Sequence, residues 1–317
     1  MYIEREKKRM KKITIIVPCY NDSEILKTTF DVLLKVIEDL KEKDKISENS
    51  YLSFVDDGSS DETWNTISKL DVNGIKLSKN FGHQSALIAG MFENDADIFI
   101  TIDDDLQDDI SVIEKMVEKY NEGFEIVYGV RKDRTSDNFI NRIFTNFYYR
   151  LNKTFKMNTI PHHADFRLVS KRVVEVLKQY PETNLYLRGM ISNLGFKSEC
   201  LYYKRNKRIG GKSHYNFVKR IKLALDGITS FSVTPLRFIS VMGLLCFIFA
   251  IFMTAYAFYY YITTKEPVSG WTSLFISLYF IGGIQLLSIG ILGEYIGKIY
   301  KESKHRPKYI IEEKSEK

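Results

Sequence analysis

Asp103, Asp104 and Asp105 follow directly on Ile98-Phe99-Ile100-Thr101-Ile102, so a run of acid closes an apolar, isoleucine-rich segment. Such a segment reads as a strand buried on both faces of a parallel sheet. The C-terminal edge of such strands is where open α/β sheets bind ligands. In extended chain side chains alternate, so Asp103 and Asp105 point one way and Asp104 the other. Two carboxylates converging on one point repel unless a cation lies between them. Hard oxygen donors suit Mg²⁺ or Mn²⁺, which commonly shares its coordination with a substrate diphosphate. For an isolated Asp-x-Asp a solvated acidic turn is the commoner case, and the rest of the chain decides.

The elements that must position this pair come in a regular order. Ile13 to Val17 is a short β-branched strand closed by Pro18, and Asn21, Asp22 and Ser23 then turn the chain and cap a helix. Leu26, Phe30, Leu33, Ile37 and Leu40 give that helix one apolar face up to about Lys43. A second strand, Leu52 to Val55, runs into Asp56-Asp57-Gly58-Ser59-Ser60-Asp61 and a helix through Leu70; a third, Gly74 to Leu77, leads to a helix from about Ser85 to Asn94. After the strand Ile98 to Ile102 come a helix near Ile110 to Asn121 and a strand Glu125 to Tyr128. Strand and helix alternating through short connections predict a parallel sheet covered by helices on both faces. Three loops rich in carboxylates and amides, Asn21 to Glu24, Asp56-Asp57 and Asp103 to Asp108, then fall on one sheet edge. No Gly-x-Gly-x-x-Gly follows the first strand and no Gly-Lys-Ser/Thr loop occurs, which argues against those two nucleotide sites.

The 317 residues are 44% hydrophobic with a formal net charge of +6, and both the apolar and the basic residues are clustered. The three cysteines, Cys19, Cys200 and Cys246, are widely spaced, as expected of a reducing compartment rather than a disulfide framework. The basic N-terminus is followed only by the short run Ile13 to Val17, so no cleaved signal is expected.

The motifs VPCYNDSE, FVDDGSSDET and DDDLQD, in that order, resemble the family 2 glycosyltransferases. KLSKNFGHQSALIAGM, VYGVRKDR, HADFRL, NLYLRGMISNLGFK and LALDGITSFSVTPLR carry the likeness further, to the polyprenyl-phosphate glycosyltransferases: dolichol-phosphate mannose synthases and, nearer still, bactoprenol glucosyltransferases. The resemblance implies an α/β, A-type glycosyltransferase fold (Rossmann-like, mostly parallel sheet) followed by interfacial helices and a two-helix transmembrane hairpin. It implies that Pro18, Tyr20 and Glu24 line the nucleoside pocket and that Asp56 reads the base edge. Asp103, Asp105 and Gln107 would hold Mg²⁺ or Mn²⁺ and the diphosphate, with Asp103 also on the donor nucleotide. Asp105, Arg131 and Asp165 would be the catalytic set, Arg131 as the basic residue near the transferred group and Asp165 as the acceptor-side aspartate. The chain departs from the family pattern at Asp22, at Asp104 and at Asp109-Ile110-Ser111.

A lipid monophosphate acceptor has a second pKa of roughly 6 and is mostly dianionic at neutral pH, so it scarcely needs a general base. The task is to bring two polyanions together and stabilise the departing diphosphate. Asp165 is therefore expected to orient rather than deprotonate.

Lys204, Arg205, Lys207, Arg208, Lys212, Lys219, Arg220 and Lys222 form a basic stretch without acid. No charge occurs from Phe238 to Ile262 or from Trp271 to Leu292, and the second run alone would reach about 33 Å as a helix, enough to cross a membrane. A basic belt beside two such runs points to a membrane surface and lipid phosphate rather than nucleic acid. Leu223 to Phe231 reads as an amphipathic interfacial segment. Arg208 to Tyr215 resembles the family's acceptor loop, so Arg205, Arg208, Lys212, Ser213 and His214 join Arg131 as expected phosphate contacts. His214 stands where the family has lysine, which predicts pH-sensitive lipid binding near neutrality.

The expected organisation is a catalytic domain at 1–203, a basic acceptor loop with juxtamembrane helices at 204–235, a hairpin at 236–297 with spans at about 236–262 and 271–296, and a basic tail at 298–317. Basic residues flank both outer ends of the hairpin, which predicts a cytoplasmic catalytic domain and termini at an inner membrane. The expected activity is inverting transfer of one sugar, glucose from UDP-glucose first, to undecaprenyl or another polyprenyl phosphate. Mannosyl and N-acetylhexosaminyl transfer are the alternatives, and a non-catalytic membrane adaptor is the rival from another class. The nearest likeness also implies a homo-oligomer, such as a tetramer, and a flippase partner. A processive synthase would be expected to carry Gln-x-x-Arg-Trp, which is absent from this sequence.

Overall fold

The computed structural model describes residues 10–132, 163–182, 187–204, 233–264 and 270–315. The chain divides into two compact units, Met1–Asn216 with Arg306–Lys317, and Phe217–His305.

The first unit is built on one eight-stranded sheet. In chain order it holds β1 (Ile13–Cys19), α1 (Ser23–Glu42), β2 (Tyr51–Asp56), α2 (Thr63–Ile67), β3 (Asn73–Leu77), α3 (His83–Glu93), β4 (Ile98–Thr101), α4 (Val112–Asn121), β5 (Ile126–Arg131), β6 (His163–Ser170), α5 (Lys171–Lys178), α6 (Leu187–Asn193), β7 (Ser198–Tyr203) and β8 (Ile311–Ser315). The strand order is β7-β5-β6-β4-β1-β2-β3-β8. Neighbours β4, β1, β2 and β3 are parallel, as are β5 and β7, whereas β6 runs antiparallel to both β4 and β5. The mostly parallel α/β sheet expected from the strand–helix alternation is present. The alternation did not reveal β6, which separates β4 from β5. Its Phe166, Arg167, Leu168 and Val169 are all buried, so no half-exposed period of two marks it as a strand.

Local sequence accounts for most of the packing. Leu26, Leu33, Ile37 and Leu40 of α1 are buried against the sheet, and Thr29 shares that face while Phe30 is only partly covered. The helix α3 is buried from Ser85 to Met91, and a Cβ on Gly90 would lie 2.3 Å from Ile16 Cγ2 and 3.1 Å from Val55 Cγ2. Glycine there lets α3 lie close on β1 and β2, which sets the height of its first residues above the sheet edge.

The stretch expected as a basic tail contributes β8, antiparallel to β3 at the sheet edge. Ser78 N donates to Ile310 O at 2.9 Å and Trp64 Nε1 to Glu313 at 2.9 Å; Tyr309 and Lys314 both reach Glu93 at 2.7 Å. The β3 edge is thereby paired, and the short, charged β8 becomes the outer strand of the sheet.

The second unit contains α7 (Thr234–Thr264) and α8 (Trp271–Ser303). Within them Pro235–Thr264 and Ile276–Ser303 have mean hydropathies of 2.5 and 1.8, long and apolar enough to cross a membrane. Their large apolar side chains face outward: Phe249 and Phe252 are 65% and 69% exposed, and Leu286 is 73% exposed. Apolar surface on that scale is stable only against lipid or protein.

Candidate active site

The register of the parallel strands brings the three acidic loops to one edge. Cys19 at the end of β1 stands beside Asp56 at the end of β2, and Ile102 N donates to Ile16 O just beyond β4. The first two loops are laced together: Asn21 N donates to Ser59 Oγ at 2.9 Å, and Ser60 N donates to Asn21 Oδ1 at 2.9 Å. Asp57 is buried and takes Phe81 N and Gly82 N at 2.8 and 2.9 Å, pinning the loop that opens α3. Gly58 has φ +67°, and a Cβ there would lie 2.2 Å from the Lys79 backbone, so this turn requires glycine.

Asp56 is fully buried. Its Oδ1 accepts Ser59 N at 2.9 Å, whereas its Oδ2 is buried with no hydrogen-bond partner. Pro18 is buried within β1; Tyr20 and Glu24 are exposed beyond it, Tyr20 at 46%.

The Asp103 to Asp108 segment is a turn rather than extended strand, because β4 closes at Thr101. Leu106 has φ +50° and Asp105 Oδ1 accepts Gln107 N at 3.1 Å. The acids nevertheless diverge. Asp103 faces His83, whose Nε2 lies 3.4 Å from Asp103 Oδ1. Asp104 lies against Asp22: burial and the charges of Asp22 and Asp103 hold its carboxyl well above the usual range. Thr29 Oγ1 fixes the Asp104 carbonyl at 2.7 Å. Gln107 is buried beneath the turn.

Two buried aspartates that sequence reasoning left unpaired organise the cations. Asp108 Oδ1 accepts Arg131 Nη2 at 2.8 Å, Arg131 Nε at 3.1 Å and Tyr203 Oη at 2.5 Å. Arg131 and Tyr203 are register partners at the ends of β5 and β7, which aims both at Asp108. Asp165, on β6, is 7% exposed and is the hub of the second group. Its Oδ1 accepts Arg167 Nη2, and Arg188 Nε at 3.3 Å; its Oδ2 accepts Arg188 Nη2 at 3.0 Å and Gln84 Nε2 at 3.2 Å. His83 Nε2 stands 3.6 Å from Oδ2.

A carboxylate has about four lone-pair positions, and those of Asp165 are all engaged. Burial would raise its pKa, but Arg188, Arg167 and His83 outweigh burial and hold it well below the usual carboxylate range. Asp165 thus binds and orients cations and has no free lone pair for a substrate proton. His83 is in turn raised to about 9, desolvation of the ring being outweighed by Asp165 and Asp103.

A protein-family model described as Glycosyl transferase family 2 matches residues 14–178. The chain is 46% identical over 307 residues to the uncharacterized glycosyltransferase YkoT of Bacillus subtilis, covering 95% of this chain and 91% of that one. It is 38% identical over 312 residues to the bactoprenol glucosyl transferase of Shigella phage SfV, covering 96% and 100%. The chain belongs to glycosyl transferase family 2. It is accordingly a glycosyltransferase, with the A-type fold. Among solved structures it is similar to glucosyl-3-phosphoglycerate synthase of Mycobacterium tuberculosis in complex with Mn²⁺, UDP-glucose and phosphoglyceric acid, with a TM-score of 0.45 at 14% identity, covering 68% of this chain and 76% of that one.

In this family 2 glycosyltransferase the donor set at the sheet edge fits a hard divalent ion that shares its coordination with a ligand. Among the described residues no group of three or more His, Cys, Asp or Glu side chains is placed to hold a metal ion by itself. Asp103 is raised chiefly by burial and further by Asp165, Asp108 and Asp105, with His83 only partly offsetting them. That convergence of negative charge is what a cation relieves.

Arg205, Arg208, Lys212, Ser213 and His214, expected on the acceptor phosphate, lie outside the described residues. Sequence reasoning assigned no role to His83, Gln84, Asp108, Arg188 or Tyr203. All but Tyr203 stand inside motifs quoted for the family likeness, so the motif carried a signal whose meaning needed the pairing.

Proposed function

We propose that this glycosyltransferase moves one hexose, glucose from UDP-glucose, onto a polyprenyl phosphate at the membrane surface, with inversion. The observation that carries the reading is the saturation of Asp165 by Arg167, Arg188 and Gln84. A sugar hydroxyl acceptor needs a base to take its proton. A phosphate monoester dianion does not, and the acceptor-side aspartate here is built to hold cations. The bactoprenol glucosyl transferases that resemble the chain over nearly its whole length support the same acceptor class.

In the proposed reaction a phosphate oxygen of the acceptor attacks the anomeric carbon in line. The new C–O bond forms as the bond to the nucleoside diphosphate breaks, and no proton is transferred. Asp103, Asp105 and Gln107 would hold Mg²⁺ or Mn²⁺, which when bound supplies positive charge to the departing diphosphate. Arg131, anchored by Asp108 and Tyr203, stabilises negative charge near the transferred group. Asp56 Oδ2, buried and unpartnered, suits a nucleobase ring N–H; uracil and guanine have one and cytosine does not. Tyr20 and Glu24 flank the nucleoside.

The apolar helices α7 and α8 are read as a membrane hairpin. Lys298, Lys301, Lys304 and Arg306 follow the apolar run of α8, which supports a cytoplasmic position for that end of the hairpin.

The decisive experiment uses full-length protein in detergent with undecaprenyl phosphate, Mg²⁺ or Mn²⁺ and radiolabelled UDP-glucose, GDP-mannose or UDP-N-acetylglucosamine. Label in the lipid phase from UDP-glucose supports the reading. Label from another donor reassigns the sugar, and none from any donor favours a non-catalytic adaptor.

A further inference from the structure

Two guanidiniums, those of Arg167 and Arg188, share the Asp165 carboxylate. The two arginines differ in what they can reach. Arg167 has 1% of its side chain exposed and sits inside the sheet between β4 and β5, so its role is to keep Asp165 ionised and fixed. Arg188 has 39% of its side chain exposed while its Nε and Nη2 remain on Asp165. A guanidinium aimed by a bidentate carboxylate and open to solvent is pre-organised for a planar or tetrahedral oxyanion.

Its position fits an acceptor rather than a donor role. Asp165 is joined to the donor-side carboxylate Asp103 through His83, 3.6 and 3.4 Å from the two. Asp103 also feels the charges of Asp165 and Asp108, the two buried aspartates to which Arg188 and Arg131 are fastened.

The segment bearing Arg188 is also fastened. Gln84 Oε1 accepts Leu187 N at 3.3 Å while Gln84 Nε2 donates to Asp165. The Leu187 N–H can meet only the amide oxygen, so the amide is oriented with its NH₂ on the carboxylate. One neutral side chain thus ties the residue before Arg188 to the carboxylate that aims Arg188.

We propose that Arg188 binds the phosphate monoester of the acceptor, with Gln84 as the positioning residue that holds it over Asp165. This rests on the polyprenyl-phosphate reading above. Initial rates are measured for full-length wild type, R188K, R188Q and Q84M, varying undecaprenyl phosphate and UDP-glucose separately, with inorganic phosphate as inhibitor. R188Q is expected to raise the acceptor KM by about tenfold or more and to weaken inhibition by phosphate, leaving the donor KM within about twofold. R188K should recover part of the loss, since lysine keeps the charge without the fork. Q84M should raise the acceptor KM less than R188Q does. R188Q keeps Arg167 on Asp165, so its melting temperature should stay near that of wild type. An active wild type whose R188Q variant keeps its acceptor KM, or loses acceptor and donor affinity equally with a lowered melting temperature, overturns this inference alone. A wild type with no lipid-linked product overturns the acceptor reading and this inference with it.

Discussion

The Tyr203 hydroxyl donates to Asp108 Oδ1 at 2.5 Å, and the same oxygen receives the Nε and Nη2 of Arg131. Three donors on one oxygen of a buried carboxylate fix the guanidinium in direction as well as place. Tyr203→Phe removes one neutral donor and leaves the ion pair, so kcat/KM should fall by about tenfold or less. Asp108→Asn leaves Arg131 without its counter-charge and should cost on the order of 100-fold. Equal losses in the two variants would show that the ion pair is not what positions Arg131.

Asp105 and its neighbour Asp104 should respond in opposite ways. Asp105 stands in the turn with Asp103, where the proposed metal sits, and Asp105→Ala should abolish transfer without disturbing membrane insertion. Asp104 Oδ2 is buried without a partner, and the carboxyl is crowded by Asp22. Asp104→Asn relieves that repulsion, so activity should stay within about threefold and the melting temperature should hold or rise. Thermal melts and transfer rates on both variants make the comparison.

Asp56→Asn places an amide where the buried oxygen lacks a donor. If Asp56 meets a nucleobase N–H, the variant should raise the donor KM by about tenfold or more and abolish thermal stabilisation by UDP. CDP should stabilise neither protein. Stabilisation by UDP that survives the substitution assigns the base contact elsewhere.

Gly90→Ala drives a methyl group to 2.3 Å from Ile16 Cγ2. Relieving that overlap means lifting α3 from the sheet, with an expected destabilisation of about 1–3 kcal/mol by chemical denaturation. Because α3 begins with His83 and Gln84, transfer should fall even at temperatures where the variant is folded.

The attachment of β8 should be acid-sensitive. Glu93 is held below its usual pKa, burial being outweighed by Lys314 and Tyr309. A depressed carboxylate contributes stability above its unfolded pKa of about 4.5 and loses it as pH falls through the lower folded value. In a Trp271→Phe background, Trp64 fluorescence, which senses its bond to Glu313 on β8, should change below about pH 4.5. Glu93→Gln should remove that transition; an unchanged profile would detach Glu93 from the strand's stability.

The order of strands and helices from Ile13 to Tyr128 was legible in sequence because each element carries its own period and each ends in residues that turn or cap. The acidic loops share an edge because β4, β1 and β2 run parallel, so that their C-terminal ends lie on the same side of the sheet. The unbroken apolar runs of α7 and α8 were equally plain, since hydropathy needs no partner to be read.

What the chain alone could not disclose were pairings across long separations. Asp108 meets Tyr203 across 95 residues and Gln84 meets Asp165 across 81. The insertion of β6 between β4 and β5 turns a row of parallel strands into a mixed sheet, and that insertion puts Asp165 and Arg167 beside Thr101. The return of Ile311–Ser315 to the edge of β3 is of the same kind. By itself the sequence determined that carboxylates gather at a sheet edge and that two long apolar helices follow, because period and polarity are local properties. Only the tertiary structure decided which carboxylates converge on one another and which are saturated by arginine. Asp103 belongs to the first group and Asp165 to the second, since the charge beside a carboxylate depends on which distant strand the fold lays next to it.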